Sequence, residues 1–191
     1  MKKIVLLFAI IAIGTSSFAQ DVKYGIKGGL NLANFSGDDM KGDSKADIYF
    51  GGFMRMTLTE WLDFQPELVY SRQGSSNDSE GIDAKFKTNF LNIPLLMRAK
   101  MIGSDKLYAI AGPQIGIHLS SEYEEDGDTA DLDKAMSVLD FSVALGLQYD
   151  LNKQFSIEAR YNFGLTKIFD NDYYEIDAKN SVFQIGIAAS F

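Results

Sequence analysis

From Val22 onward the chain alternates apolar and polar residues with a period of two, broken only by polar, glycine-rich or acidic segments. That period is the signature of strands, because successive side chains of an extended chain point to opposite faces. The clearest run is Lys106–Ser120. Leu107, Ala109, Ala111, Pro113, Ile115, Ile117 and Leu119 fall on one face, and Tyr108, Ile110, Gly112, Gln114, Gly116 and His118 on the other. Val138–Asp150 opposes Leu139, Phe141, Val143, Leu145, Leu147 and Tyr149 to Asp140, Ser142, Ala144, Gly146 and Gln148. Phe155–Leu165 and Asn180–Phe191 repeat the rule, and Val22–Asn34, Ile48–Leu58, Leu62–Ser71 and Lys87–Lys100 obey it with more noise. Eight strands are predicted, an even number that lets both ends of the sheet meet on one side of a membrane.

The connections alternate in length. Thr59–Trp61, Met101–Asp105 and Leu151–Gln154 read as tight turns, whereas Phe35–Asp47, Gly74–Phe86, Ser121–Ser137 and Ile168–Lys179 read as long polar loops. Short turns on the periplasmic side and long loops outside are the pattern of a bacterial outer-membrane barrel. The fold class expected is all-β: an eight-stranded antiparallel up-and-down transmembrane β-barrel.

An eight-stranded barrel can also be a secreted lipocalin-like carrier, so the polar face must decide. Here that face is rich in Gly, Ser, Asn and Gln, with scattered charges. It suits a narrow lumen better than a water-facing surface. The scattered charges nearly balance, with Lys27, Arg55, Arg98 and Arg160 against Glu67, Asp140 and Glu158. Charges confined in an interior need partners, so an ion-paired, non-conducting plug is expected. Aromatics form two bands, Trp61, Phe64, Tyr149, Phe155 and Phe191 toward the short turns and Phe35, Tyr70, Phe163, Phe169 and Phe183 toward the long loops. Such bands mark the two interfaces of a bilayer. Pro66, Pro94 and Pro113 fall inside neighbouring strands, where bulges or a locally weakened sheet are expected because proline cannot donate to the ladder.

Residues 1–19 stand apart from this grammar. Lys2 and Lys3 precede an apolar run from Ile4 to Ile13, and Ser17-Phe18-Ala19 supplies small residues of a cleavage site. The run is shorter than the roughly 20 residues of a membrane-spanning helix. A signal peptide over 1–19 and an outer-membrane barrel domain over 20–191 are therefore expected, the alternative being an uncleaved anchor. Losing Lys2 and Lys3 and no acid moves the formal net charge from -8 to -10. That balance argues against nucleic acid. Without cysteine there is neither a disulfide framework nor a thiolate metal site.

Several blocks carry a family resemblance: Gly25-Ile26-Lys27-Gly28-Gly29-Leu30-Asn31, Gln65-Pro66-Glu67-Leu68, Leu91-Asn92-Ile93-Pro94-Leu95-Leu96, Gly112-Pro113, and Ala159-Arg160-Tyr161-Asn162-Phe163-Gly164-Leu165-Thr166. In this order they resemble the PorT-like outer membrane protein beta-barrel family, small OmpX- or OmpA-like barrels of Bacteroidetes-type bacteria. The resemblance implies fold and location more than activity. It implies that terminal Phe191 is an assembly signal for the barrel-assembly machinery, and that one branch serves protein secretion. Where the family motif often has Glu before Ile-Pro, this chain has Asn92, so a shared interior ion pair there is not implied.

Candidate chemistry is sparse. His118 is the only histidine, and with Ser120 it forms a His-x-Ser pair similar to that of lipid A deacylase barrels. Glu122 or a later loop carboxylate would have to complete a triad. Parity places both residues on the inner face, away from lipid, which favours a hydrogen-bonded rim histidine over a lipid A-modifying hydrolase. Glu124, Glu125, Asp126 and Asp128 are candidate loop contacts for a divalent cation, alongside Glu122, Asp131 and Asp133, but their spacing is not that of an EF-hand. A solvated acidic loop is the default reading. Gly25, Gly28 and Gly29 lie within a strand and make no phosphate loop. No catalytic residue, cofactor or metal is assigned. The expected role is a structural or interaction protein whose barrel displays four mobile loops, the alternative being an accessory of secretion or envelope assembly. The partners expected are outer-membrane lipid, lipopolysaccharide, the assembly machinery and an extracellular or secretion-system protein.

Overall fold

Each alternating run becomes a strand, and the sheet they form closes on itself. The computed structural model describes residues 22–36, 43–79, 82–125, 128–131, 137–167 and 179–191. In chain order the strands are β1 (Val22–Ser36), β2 (Asp43–Thr59), β3 (Leu62–Ser79), β4 (Ile82–Lys100), β5 (Leu107–Glu125), β6 (Asp128–Asp131), β7 (Leu139–Asp150), β8 (Phe155–Lys167) and β9 (Lys179–Ser190). The ring runs β1-β2-β3-β4-β5-β7-β8-β9, every neighbour antiparallel, and β9 closes on β1 from Gly25↔Ser190 to Ser36↔Lys179. The short β6 lies outside the ring, folding back on the far end of β5 from Glu122↔Asp131 to Glu125↔Asp128. This is a closed eight-stranded barrel. Closure leaves no unpaired edge, which a sheet in hydrocarbon requires.

The faces are the inverse of a soluble protein's. Leu145 is 48% exposed on the outside, and Ala144 beside it is 1% exposed on the inside. Ile26, Phe50, Leu68, Leu147, Ile185 and Ile187 share the outward face, and the half-buried Leu107 and Ile115 lie on it by strand parity. The largest fully buried side chains include Arg160, Gln65, Gln73, Gln148 and Gln184. A lipid-facing surface needs apolar groups, so the polar ones turn to the axis and satisfy one another.

The tight turns sit at one end with both sheet termini, where Phe191 and Tyr24 exchange backbone hydrogen bonds of 2.9 and 3.3 Å. Turn-forming side chains define them. The Asn152 Oδ1 accepts from the Gln154 and Phe155 amides at 2.8 Å each, and the Ser104 hydroxyl accepts from Lys106 and Leu107 at 3.2 and 3.1 Å. Gly103 takes φ +86° in the β4–β5 turn, a conformation glycine reaches without a Cβ clash.

Three expectations of long loops need correction. Phe35–Asp47 is strand at both ends, β1 running to Ser36 and β2 beginning at Asp43. The segment Gly74–Phe86 is not a loop: β3 and β4 stay paired from Gly74↔Lys87 to Ser79↔Ile82. Likewise Ser121–Ser137 begins as strand through Glu125 and returns as β6. The outward face turns polar at Arg72 and Asn89, and the β3 residues that follow are all polar or glycine. The strand therefore leaves no periodic trace in Ser75–Ser79. The prolines interrupt the ladder without shifting it. Pro66↔Leu95 is succeeded by Val69↔Asn92, and Pro94↔Gln114 by Met97↔Ala111, each in unchanged register. The irregularity between β4 and β5 lies elsewhere, where Asn89↔Ser120 gives way to Phe90↔His118. Leu119 is the extra residue, and it reverses the parity of the strand at Ser120, Ser121 and Glu122.

Candidate functional site

Strand parity aims the inward side chains of all eight ring strands at one axis, and the barrel is narrow enough for them to meet. At the centre, Lys27 on β1 sits 2.9 Å from Glu67 on β3 and 2.5 Å from Glu158 on β8. Arg160, also on β8, reaches the other oxygen of Glu67 at 2.8 Å. The Tyr49 hydroxyl donates to Glu158 Oε1 at 3.1 Å, and Gln65 Nε2 donates to Glu67 Oε1 at 2.8 Å. Tyr49 reaches this position because Gly186 faces it. A Cβ at Gly186 would collide with the tyrosine hydroxyl and the Gly28 carbonyl.

The network continues both ways. Arg160 Nε donates to Gln184 Oε1 at 2.6 Å, Gln184 Nε2 to Asn31 Oδ1 at 2.6 Å, and Asn31 Nδ2 to Ser71 Oγ at 2.9 Å. Toward the tight turns, Arg98 on β4 binds Asp63 and Asp150 at 2.6 Å each, donates from Nε to Gln148 at 2.9 Å, and lies over the Tyr108 ring. Arg55 joins through Gln65, donating from Nε to its Oε1 at 2.9 Å.

Of the residues singled out from sequence, Lys27, Glu67, Glu158 and Arg160 thus form one cluster, with Arg55 attached through a glutamine. Arg98 belongs to a separate layer. Asp140 stands apart: it accepts from Thr166 at 2.9 Å and has no ion-pair partner among the described residues. The sequence reading missed Asp63 and Asp150, the partners of Arg98, because both flank turns. Parity was the available signal, as Asp63 shares the face of Gln65 and Glu67.

His118 donates to or accepts from Ser121, not Ser120, at 2.7 Å. The extra Leu119 turns Ser121 inward and leaves Ser120 bonded to Asn89 on the other face. Ser121 also donates to Thr88 at 2.8 Å, so its hydroxyl is shared between the imidazole and a second hydroxyl. Of the candidate cation contacts, Asp126 and the side chains of Glu124, Glu125 and Asp128 lie outside the described residues, as do residues 1–19, Phe169 and the Phe35 side chain. Among the described aromatics, Trp61, Tyr149, Phe155 and Phe191 are exposed around the tight-turn end and Phe163 and Phe183 toward the other. At the tight-turn rim, Lys100 lies 2.6 Å from Asp105 and holds that carboxyl below its usual range by hydrogen bonding and charge.

Comparison with known proteins agrees with this geometry. A family model described as an outer membrane protein beta-barrel domain matches residues 18–170. No curated protein sequence matches the chain. Among solved structures, the chain is similar to Ail, the attachment invasion locus protein of Yersinia pestis, with 18% identity, 90% of this chain and 99% of that one covered, and a TM-score of 0.53. It is similar to Neisserial surface protein A at 10% identity, covering 91% and 100%, with a TM-score of 0.56. It is also similar to CarO of Acinetobacter baumannii at 10% identity, covering 86% and 97%, with a TM-score of 0.51. These likenesses are of fold.

Proposed function

This chain belongs to the outer membrane protein beta-barrel domain family and is an integral barrel of the outer membrane, and on that premise we propose a structural and interaction role. The barrel is a closed, non-conducting support, and its working end is the set of segments projecting beyond the apolar band. The observation that carries this reading is the ionic layer of Lys27, Glu67, Arg160 and Glu158 across the lumen, buried and bonded from opposite walls. A pore would need that space for water and ions. The β3–β4 hairpin adds to the argument, running roughly 20 Å past the level where the outer face turns polar. Residues 1–19 serve this reading as an export signal cleaved after Ala19, and Phe191 as a cue for assembly into the membrane.

Planar-bilayer recording tests the plug. The purified protein should give no stepwise conductance, and reproducible single-channel openings would overturn the reading. Labelling of intact cells with a membrane-impermeant thiol reagent tests the display. A cysteine placed at Asp78 should react, and one placed at Asn152 should not.

A second reading rests on the ordered blocks shared with PorT-like barrels, from Gly25-Ile26-Lys27 to Tyr161-Asn162-Phe163. In it the barrel is an accessory of protein secretion or envelope assembly. Loss of secreted proteins from the medium on deletion, restored by the wild-type chain, would favour it over the first.

A further inference from the structure

The mouth of the barrel at the tight-turn end holds a cavity of about 330 Å³ bordered by Lys23, Arg55, Lys106, Asp150, Lys153 and Phe155. Two of these residues present buried polar atoms that no protein group satisfies. Arg55 is 8% exposed, and its Nη2 has no hydrogen-bond partner although its Nε is fixed by Gln65. Asp150 spends Oδ2 on Arg98 and leaves Oδ1 without a partner. One orphan is a cationic donor and the other an anionic acceptor, and they do not pair with each other. A group that satisfies both must accept from Arg55 and donate to Asp150.

The charge around them narrows its chemistry. Asp105 is neutralised by Lys100, and Asp150 shares Arg98 with Asp63. Lys23, Lys106 and Lys153 have no ion-pair partner among the described residues, so the cavity keeps a net positive field. We infer that this mouth binds free hydrogen phosphate from the periplasmic side, a phosphate that keeps an O–H at neutral pH, where a monoester has mostly lost it. Its unprotonated oxygens accept from Arg55 and the rim lysines, and its single O–H donates to Asp150 Oδ1. Sulfate and carboxylate carry similar charge but no proton to donate, and would set an oxygen against the carboxylate. Phosphodiester headgroups lack the proton for the same reason, although exposed Phe155 brings the site near the inner-leaflet interface. The inference is independent of the role proposed for the opposite end of the barrel.

The test uses the full chain extracted in dodecyl maltoside, a detergent without phosphate. Backbone NMR resonances of Ser156 and Ser190 and the side-chain Nε–H of Arg55 are monitored during titration with sodium phosphate, sodium sulfate or sodium chloride at matched ionic strength. Phosphate should give saturable shifts, with sulfate at least about tenfold weaker because its oxygen faces an unprotonated carboxylate. Arg55→Gln should abolish saturation. Asp150→Asn should erase the preference by admitting sulfate, an outcome that loss of folding cannot mimic. Lys106→Gln and Lys153→Gln, on exposed turns, should each weaken phosphate about two- to threefold with the fold intact. Shifts that are linear, equal with chloride, or unchanged in a folded Arg55→Gln variant would overturn the site. Competition by short-chain phosphatidylglycerol as strong as that of phosphate would overturn the requirement for a donated proton.

Discussion

Glu67 on β3 and Arg160 on β8 stand 93 positions apart in sequence and meet across the barrel axis at 2.8 Å. The two strands are diametrically opposed in the ring, so the bond is a strut between opposite walls rather than a contact between neighbours. Each partner has further bonds, Glu67 to Lys27 and Gln65 and Arg160 to Gln184. Such satisfaction is the condition under which buried charges are tolerated.

Removing one end of the strut should therefore hurt more than removing both. Glu67→Gln strands two cations on Glu158 and should cost about 3–5 kcal/mol. Glu67→Gln with Arg160→Gln leaves Lys27 and Glu158 paired and should cost less than the single change. Urea unfolding of the barrel in micelles or vesicles, monitored by tryptophan fluorescence from Trp61, measures both.

The outward face makes a different demand. Leu145→Arg puts a charge on the lipid side near mid-strand and should cost about 2–4 kcal/mol in a phospholipid bilayer. Leu151→Arg, in the β7–β8 turn, should cost little. Unfolding from vesicles compares them, and equal costs would contradict the assignment of the two positions to hydrocarbon and water.

Legibility in the sequence differs from feature to feature because each depends on a different range of the chain. Period-two alternation depends on one strand and its two environments, so β7 and β8 can be read from Leu139–Asp150 and Phe155–Leu165 alone. The interior partnerships depend on the stagger of strands around the ring. Parity puts Arg98 inside, but the β3–β4 register sets it opposite Asp63, and the stagger across β4, β5 and β7 brings it to Asp150. The same dependence hid the pairing of Tyr49 with Glu158. Ser121 was hidden by the extra residue Leu119, which inverts parity after His118. The β3–β4 extension was hidden because Ser75-Ser76-Asn77-Asp78-Ser79 is polar at every position and carries no alternation.

At the rim, Lys100 depresses the titration of Asp105. A lowered carboxyl pKa contributes stability above the unfolded value and loses it as pH falls through the folded one. Here the pair is exposed, so the effect should be seen at the site and not in global unfolding. Carboxyl-carbon NMR should find Asp105 titrating below the ordinary aspartate range, returning to it in Lys100→Met.

The Ser121 hydroxyl, shared between His118 and Thr88 inside the barrel, predicts chemical silence at His118. Lipid A from cells carrying His118→Ala should have the mass spectrum of cells carrying the wild-type chain. A change in acylation that tracks the histidine would contradict the geometry.

The central claim is which side of the wall meets lipid, and the absence of cysteine makes it directly measurable. Single cysteines at Leu145, Leu147, Ile185 and Ile187, and at Ser142, Ala144 and Gln148, carry nitroxide labels in the refolded barrel in vesicles. The first four should collide freely with oxygen dissolved in the bilayer, and the last three should be shielded from it. Oxygen accessibility that is reversed, or equal at the two sets, would contradict a membrane barrel with a polar, filled interior.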